Sequence, residues 1–181
     1  MMTHLIQSHD LFGPPERQDE LRECWRRNEG IFDCNTHPEG RLTFTELFAL
    51  CNPGMVNVLC NSDIYFEDVS RFNEAECWAL SRWENGTLYD RRDSQDVWVV
   101  KGRPDIAANF TLGLAGCDNR LARILKDAGM NPINPSRTIK AHHLHNVPFR
   151  SYLADPSGTP RGGDKIYRVP GPYAFIEPAY L

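Results

Sequence analysis

Three short stretches of this 181-residue chain carry side chains of the kinds that do chemistry. Asn61-Ser62-Asp63 ends a nearly continuous apolar run, Met55 to Cys60. A lone Asp after a strand is by default a turn former or helix cap. A carboxylate beside an amide and a hydroxyl is also a group that holds a hard divalent cation and a ribose. Asp118 follows a loop containing Gly113 and Gly116 and stands at the mouth of an amphipathic stretch. It reads as that helix's N-cap, and also as a carboxylate placed to meet something entering from outside. His142-His143-Leu144-His145 puts His143 and His145 on the same side of a strand. Such a cluster is either surface or ligand, since neutral imidazole binds metals well.

The elements that must position these groups are legible in the hydrophobic spacing. Leu5 to Ser8 is a short strand candidate. Pro14-Pro15 opens a helix running to about Glu29, with Leu21, Cys24 and Trp25 on its apolar face and Gly30 at its end. Ile31 to Cys34 reads as a second short strand. Thr43 and Glu46 form a capping box, opening a helix that buries Phe44, Leu47, Phe48 and Leu50 and stops at Asn52-Pro53-Gly54. Met55 to Cys60 reads as a strand covered on both faces. Phe66 to Glu76 is expected to hold a helix, Cys77 to Trp83 a strand, Asn85-Gly86 a hairpin turn and Asp96 to Lys101 another strand. Leu121, Ile124, Leu125 and Ala128 recur at i, i+3, i+4, i+7, and Gly129 stands where a C-terminal cap belongs. A strand is expected between Ile139 and His145, and residues 147–181 read as an irregular wrap. Alternating strands and helices with a hairpin between them give a single α/β domain with a mixed central sheet. Ligands gather at the carboxyl ends of the strands in such sheets.

Composition narrows the classes of function. The chain is 41% hydrophobic and 24% charged, with a formal net charge of −4, so no overall basic field draws in nucleic acid. No apolar run approaches a membrane span and no signal peptide is visible, which leads us to expect a cytoplasmic protein. The six cysteines, at 24, 34, 51, 60, 77 and 117, include no Cys-x-x-Cys pair; they read as reduced thiols, not as a structural zinc site.

Taken together, the landmarks resemble the GT-A glycosyltransferase fold. There, an apolar strand ends in an Asp-x-Asp motif, an acidic residue opens a helix after a Gly-containing loop, and a His beyond the next strand sits on the metal. The similarity is carried by Asn61-Ser62-Asp63-Ile64-Tyr65-Phe66, Ala79-Leu80-Ser81-Arg82-Trp83, Ser94-Gln95-Asp96-Val97-Trp98, Gly116-Cys117-Asp118-Asn119-Arg120 and Ile139 to His145. These stretches look like those of a group of small bacterial and phage glycosyltransferase-like proteins, over most of residues 4–146. Two departures stand out: Asn61 occupies the first acidic position of the motif, and Cys117 precedes Asp118 where an acid is common. The chain also leaves little room for a full nucleotide pocket.

The resemblance implies a transferase moving a sugar from a nucleotide-sugar donor to a hydroxyl acceptor. The acceptor class stays open among glycan, protein, metabolite and modified nucleic-acid base. It implies a Mn²⁺ or Mg²⁺ cofactor held by Asp63 and His143, with His145 as the alternative ligand. It implies donor contacts from Gln7, Arg41, Asn61, Ser62, Asp63 and Arg82, and acceptor contacts from Trp83, Asp96, Gly116 and Asn119. Asp118 would be the general base of an inverting reaction, with Asp96 as a rival carboxylate. The helix dipole leads us to expect a low pKa for Asp118. The alternative is a non-catalytic nucleotide- or glycan-binding module of the same architecture, which the missing acid at Asn61 favours. A nucleotidyltransferase ranks last, because residues 5–13 offer only Gly13 for a phosphate loop.

Overall fold

The computed structural model describes residues 1–149 and 167–181. In chain order these form β1 (Thr3–Ile6), α1 (Pro15–Asn28), β2 (Cys34–Thr36), α2 (Phe44–Leu50), β3 (Val56–Cys60), β4 (Ile64–Tyr65), β5 (Cys77–Leu80), β6 (Arg82–Glu84), β7 (Thr87–Leu88), β8 (Val97–Lys101), α3 (Cys117–Asp127) and β9 (Ala141–His143). Two mixed sheets result, ordered β2-β1-β3-β8-β5 and β4-β9-β6-β7. None of the described helices is long and apolar enough to cross a membrane.

The first sheet is the body of the molecule. β1 runs parallel to both β2 and β3, while β8 lies antiparallel between β3 and β5. Side chains on alternate positions feed two cores. Leu59, Trp98 and Val100 pack with α2 and α3 on one face. Val58, Trp78, Leu80 and Val99 pack on the other with Phe32, Phe66 and Phe72, whose rings meet edge to face. β3 is buried at all five positions, as its unbroken apolar run implies.

Pairing register brings the polar stretches to one end of this sheet. Cys60 pairs with Val97, and Leu80 pairs with the same residue from the other side. The residues just past β3 and β5 and just before β8 are therefore neighbours: Asn61 to Asp63, Ser81 and Arg82, and Asp96. The second sheet completes the arrangement. Ile64 pairs with His143, and Glu84 pairs with His143 from the opposite edge.

Several sequence expectations shift for identifiable reasons. The region 66–76 holds only a 3₁₀ turn at Phe72–Glu74. The Asp68 carboxylate accepts from the Ser70 amide, a local turn that competes with helix, while Phe66 and Phe72 are drawn into the aromatic core. The single strand expected from Cys77 to Trp83 is two strands in different sheets. They break at buried Ser81, whose amide donates to Ser136 Oγ at 2.8 Å and whose hydroxyl donates to Ser94 O at 2.9 Å. β1 and β2 sit two to three residues away from their expected positions. Leu50 is exposed, not buried.

The capping box is present as expected. The Glu46 amide donates to Thr43 Oγ1, and Glu46 Oε2 accepts from the Thr43 amide at 2.7 Å. Thr43→Ala removes one half of that reciprocal pair. It should lower stability by about 1 kcal/mol, read as a lower denaturation midpoint at unchanged m-value; an unshifted midpoint would mean that packing of Phe44 and Phe48 alone holds α2.

Of the wrap expected at 147–181, residues 150–166 lie outside the described residues. Residues 167–181 are irregular but packed: Val169 and Ile176 are buried, and the Val169 amide donates to Ala115 O.

Candidate active site

A cavity of about 870 Å³ opens at the carboxyl ends of β1, β3 and β5. Its walls include Asp63, His143 and His145, and also Asp118 with the loop from Leu112 to Cys117. Positions 63, 118 and 143, far apart in sequence, thus share one cleft.

Asp63 Oδ2 is approached by His143 Nε2 at 3.1 Å, His145 Nδ1 at 3.6 Å and the Arg17 guanidinium. The far nitrogen of each imidazole faces an acceptor. His143 Nδ1 lies 3.1 Å from Glu84 Oε1, and His145 Nε2 lies 2.6 Å from Phe149 O. In a neutral His145 the far nitrogen must donate to the carbonyl, so its lone pair points at Asp63; His143, set between two carboxylates, does the same in the tautomer that donates to Glu84. Three acceptor atoms, all within 4.8 Å of one another, then converge on one point. Such a group is stable only around a proton or a cation. Burial pushes Asp63 up, but the two imidazoles and Arg17 outweigh it and hold the carboxyl well below the ordinary range. Burial lowers His143, yet its hydrogen bond to Asp63 and that group's charge raise it overall. One carboxylate oxygen and two imidazole nitrogens, each ring oriented from behind, fit a divalent metal that tolerates nitrogen, Mn²⁺ better than Mg²⁺.

Two partners of this cluster lie outside the sequence motifs. Arg17 is 1% exposed and holds Asp63, Glu20 and Leu144 O together. Its signal was available: Arg17, Leu21, Cys24 and Asn28 follow one helical stripe, and all four are buried. Glu84, two residues beyond Arg82 in β6, accepts from both Arg82 Nε at 2.6 Å and His143. Only the sheet register could have revealed it.

Asp118 lines the same cavity, and two expectations about it are corrected. It is not the N-cap. Helix α3 starts at Cys117, and the cap is Gly116 in the left-handed conformation at φ 79°, without a side-chain cap bond. A Cβ at Gly116 would meet Arg168 Cγ at 2.8 Å, so the residue's role is to let the loop turn beneath the C-terminal segment. Nor is the Asp118 pKa low. Desolvation, then the charge of Asp96, push it up to about 8, against weaker lowering by Cys117, the Gln95 amide and Arg82. The helix dipole loses to burial and a like charge.

The remaining expected residues divide. Arg41, Asn61, Ser62, Arg82 and Asp96 line the cavity with Gly116. Arg82 is not a free phosphate fork. It donates to Glu84, to Ser94 Oγ at 3.2 Å and to Asp96 Oδ2 at 3.1 Å, and stacks 4.0 Å from the Tyr89 ring centre. Asp96 accepts from Arg82 and from Asn61 Nδ2, so both its oxygens face protein donors. Three assignments fail because the side chains do not line the cavity. Gln7 is 1% exposed; its amide donates to Asn61 O and Ile64 O and accepts from Asn28, tying β1 to the strand-end turn. Trp83 donates to Ser136 O beneath Lys140 on the second sheet. Asn119 is buried in the first turn of α3.

The cavity also extends past the sites named in sequence, over Ser8, Asp10 and Phe12 after β1 and Pro38 to Leu42 after β2. The cavity as a whole has the volume of a small-molecule site, although the chain is short. No family model matches this chain, and no curated protein or solved structure matches it.

Proposed function

We propose that this chain is a metal-assisted glycosyltransferase, taking a sugar from a nucleotide donor to a hydroxyl acceptor with inversion. The observation that carries the reading is the sharing of one cavity by two unlike groups: a convergent Asp63–His143–His145 cluster and a carboxyl at Asp118 with raised proton affinity. Departure of a nucleoside diphosphate builds negative charge, which a divalent ion at the cluster would stabilise as a Lewis acid. The protein's own part is to fix Asp63 with Arg17, orient His143 through Glu84, and hold Asp118 as acceptor of the attacking hydroxyl's proton. A base with a value near 8 binds that proton more strongly than an ordinary carboxylate, which narrows the gap to the hydroxyl without closing it, so transfer still accompanies attack. Ser8, Asp10, Phe12 and Arg41 line the part of the cavity left for the nucleotide.

The direct test is incubation with Mn²⁺ and a panel of nucleotide sugars, reading free nucleoside diphosphate with and without hydroxyl acceptors. Release that depends on Mn²⁺ is expected. A second reading, a non-catalytic nucleotide-binding module, draws on one observation: the Asn61 amide is turned onto Asp96, leaving one carboxylate in the motif. Tight nucleotide-sugar binding without release across the panel would favour that reading and end the catalytic one.

A further inference from the structure

The reading above leaves Arg82 unexplained, because its Nε and Nη1 are committed to Glu84, Ser94 and Asp96. It is 13% exposed and joins two carboxylates that have different tasks. Through Nε it holds Glu84, the acceptor behind His143. Through Nη1 it holds Asp96, whose other oxygen takes the Asn61 amide. Asp96 lines the same cavity as Asp118, and its charge acts on that carboxyl. An unbroken chain of polar contacts therefore runs from a cation ligand to the neighbourhood of the base, and its centre is one planar, permanently charged group.

We propose that Arg82 is a positioning residue that yokes the cation centre to the base, holding Glu84 behind His143 with one edge and Asp96 beside Asp118 with another. The proposal rests on the cation centre and base of the preceding reading, but its test needs no sugar transfer. The two arms are chemically distinct. The Glu84 arm orients an imidazole, so its loss should weaken metal binding. The Asp96 arm places a negative charge near Asp118, so its loss should make the Asp118 proton easier to remove. Among the described residues, the charged groups that act most on Asp118 are Asp96, just before β8, and Arg82 of β6. Cys117 lies on its own helix, and Arg168 lies across the Gly116 turn. Asp96 raises Asp118 and Arg82 lowers it, so Asp96→Asn moves the midpoint down, and a variant that keeps a cation at position 82 isolates the loss of the fork that holds Asp96.

Two measurements on the full chain decide the matter. Mn²⁺ affinity is read from the spin-resonance signal of free Mn²⁺. Ionisation of Asp118 is read from ¹³C aspartate carboxyl shifts, the resonance being assigned by its loss in Asp118→Asn. Glu84→Gln should weaken Mn²⁺ about tenfold and leave the Asp118 midpoint in place. Asp96→Asn should lower that midpoint by about one unit or more and leave Mn²⁺ affinity in place. Arg82→Gln should weaken Mn²⁺ at least as much as Glu84→Gln does. Arg82→Lys keeps the charge but not the fork; it should weaken Mn²⁺ and, by releasing Asp96, lower the midpoint, and it carries the test if Arg82→Gln does not fold. Arg82 variants that bind Mn²⁺ as the wild type does would overturn the proposal. So would Glu84→Gln and Asp96→Asn each disturbing both readouts, the mark of general disruption. A wild-type chain that takes up no Mn²⁺ would end this proposal and the metal-assisted reading together, whereas unaltered Arg82 variants of a chain that does bind Mn²⁺ end only this one.

Discussion

Asp118→Asn is expected to abolish turnover and, at alkaline pH, to make the fold more stable. The first effect follows from losing a positioned general base, a loss of about 10²–10⁴-fold. Nucleotide-sugar binding should survive, because Asp118 is not one of the Asp63–His143–His145 cluster. The second effect follows from linkage. The folded value of Asp118 is raised from an ordinary 3.8 to about 8. Below pH 4 the carboxyl is protonated whether or not the chain is folded, and it costs nothing. Between there and pH 8 the unfolded chain gives up a proton that the folded chain keeps, so stability falls as pH rises. Above the folded value the cost levels off. A full shift at about 1.4 kcal/mol per unit is an upper bound, and the water of the cavity screens it to something on the order of 2 kcal/mol. The asparagine carries none of this cost. Thermal melts of the two proteins should therefore coincide near pH 4 and diverge by several degrees at pH 8, the variant higher. Wild-type turnover should rise with pH along an acid limb centred near 8. Coincident melts at both pH values would show that Asp118 ionises as an ordinary surface acid, and would remove the physical basis for its role.

Sequence spacing revealed the elements whose cause is local. The α2 capping box, the α1 boundary at Pro15, the α3 stripe and the Asn85-Gly86 turn each depend on residues within a turn or two of one another. β3 was legible because burial on both faces leaves an unbroken apolar run. What was not legible depends on partners distant in sequence. Ser81 ends one strand and lets another begin in a second sheet, because Asn134 and Ser136, over fifty residues away, take its polar groups. Gln7 carries an amide suited to a ligand, yet Asn28, Asn61 and Ile64 engage it fully. The pKa of Asp118 was misjudged for the same reason. A helix terminus is visible in sequence, but the Asp96 charge beside it is set by the register of β3, β5 and β8. The site's landmarks at 63, 118 and 143 were readable; the groups that tune them, Arg17, Glu84 and Asp96 with Arg82, act through tertiary contacts.

The largest effect on stability should come from Asp63. Arg17 is almost wholly enclosed, and its cation is balanced by Asp63 and Glu20. Removing one partner of a buried pair leaves a charge without compensation, a loss of about 3–5 kcal/mol. Asp63→Ala should therefore lower the denaturation free energy by that amount, measured at neutral pH with chelator present so that no metal contributes. The folded pKa of Asp63 is depressed, so this stabilisation is complete above the ordinary carboxylate range and is lost only as pH falls below it. The share of the difference owed to Arg17 should persist to pH 8 and shrink in strong acid, while the share owed to protonated His143, whose pKa Asp63 raises, should fade as pH rises above 6.5. A double-mutant cycle with Arg17→Met separates the pair from its surroundings. With the guanidinium gone, Asp63→Ala should cost much less, because no cation is stranded. The same residue also reports on the metal. Mn²⁺ at a hundredfold excess over its dissociation constant should stabilise the wild type by about 2.7 kcal/mol and leave Asp63→Ala unmoved. Equal stabilisation of both proteins would place the ion elsewhere on the molecule. A neutral Asp63→Ala would show that Glu20 alone satisfies Arg17, and the carboxylate at the end of β3 would then have no structural partner to fix it for catalysis.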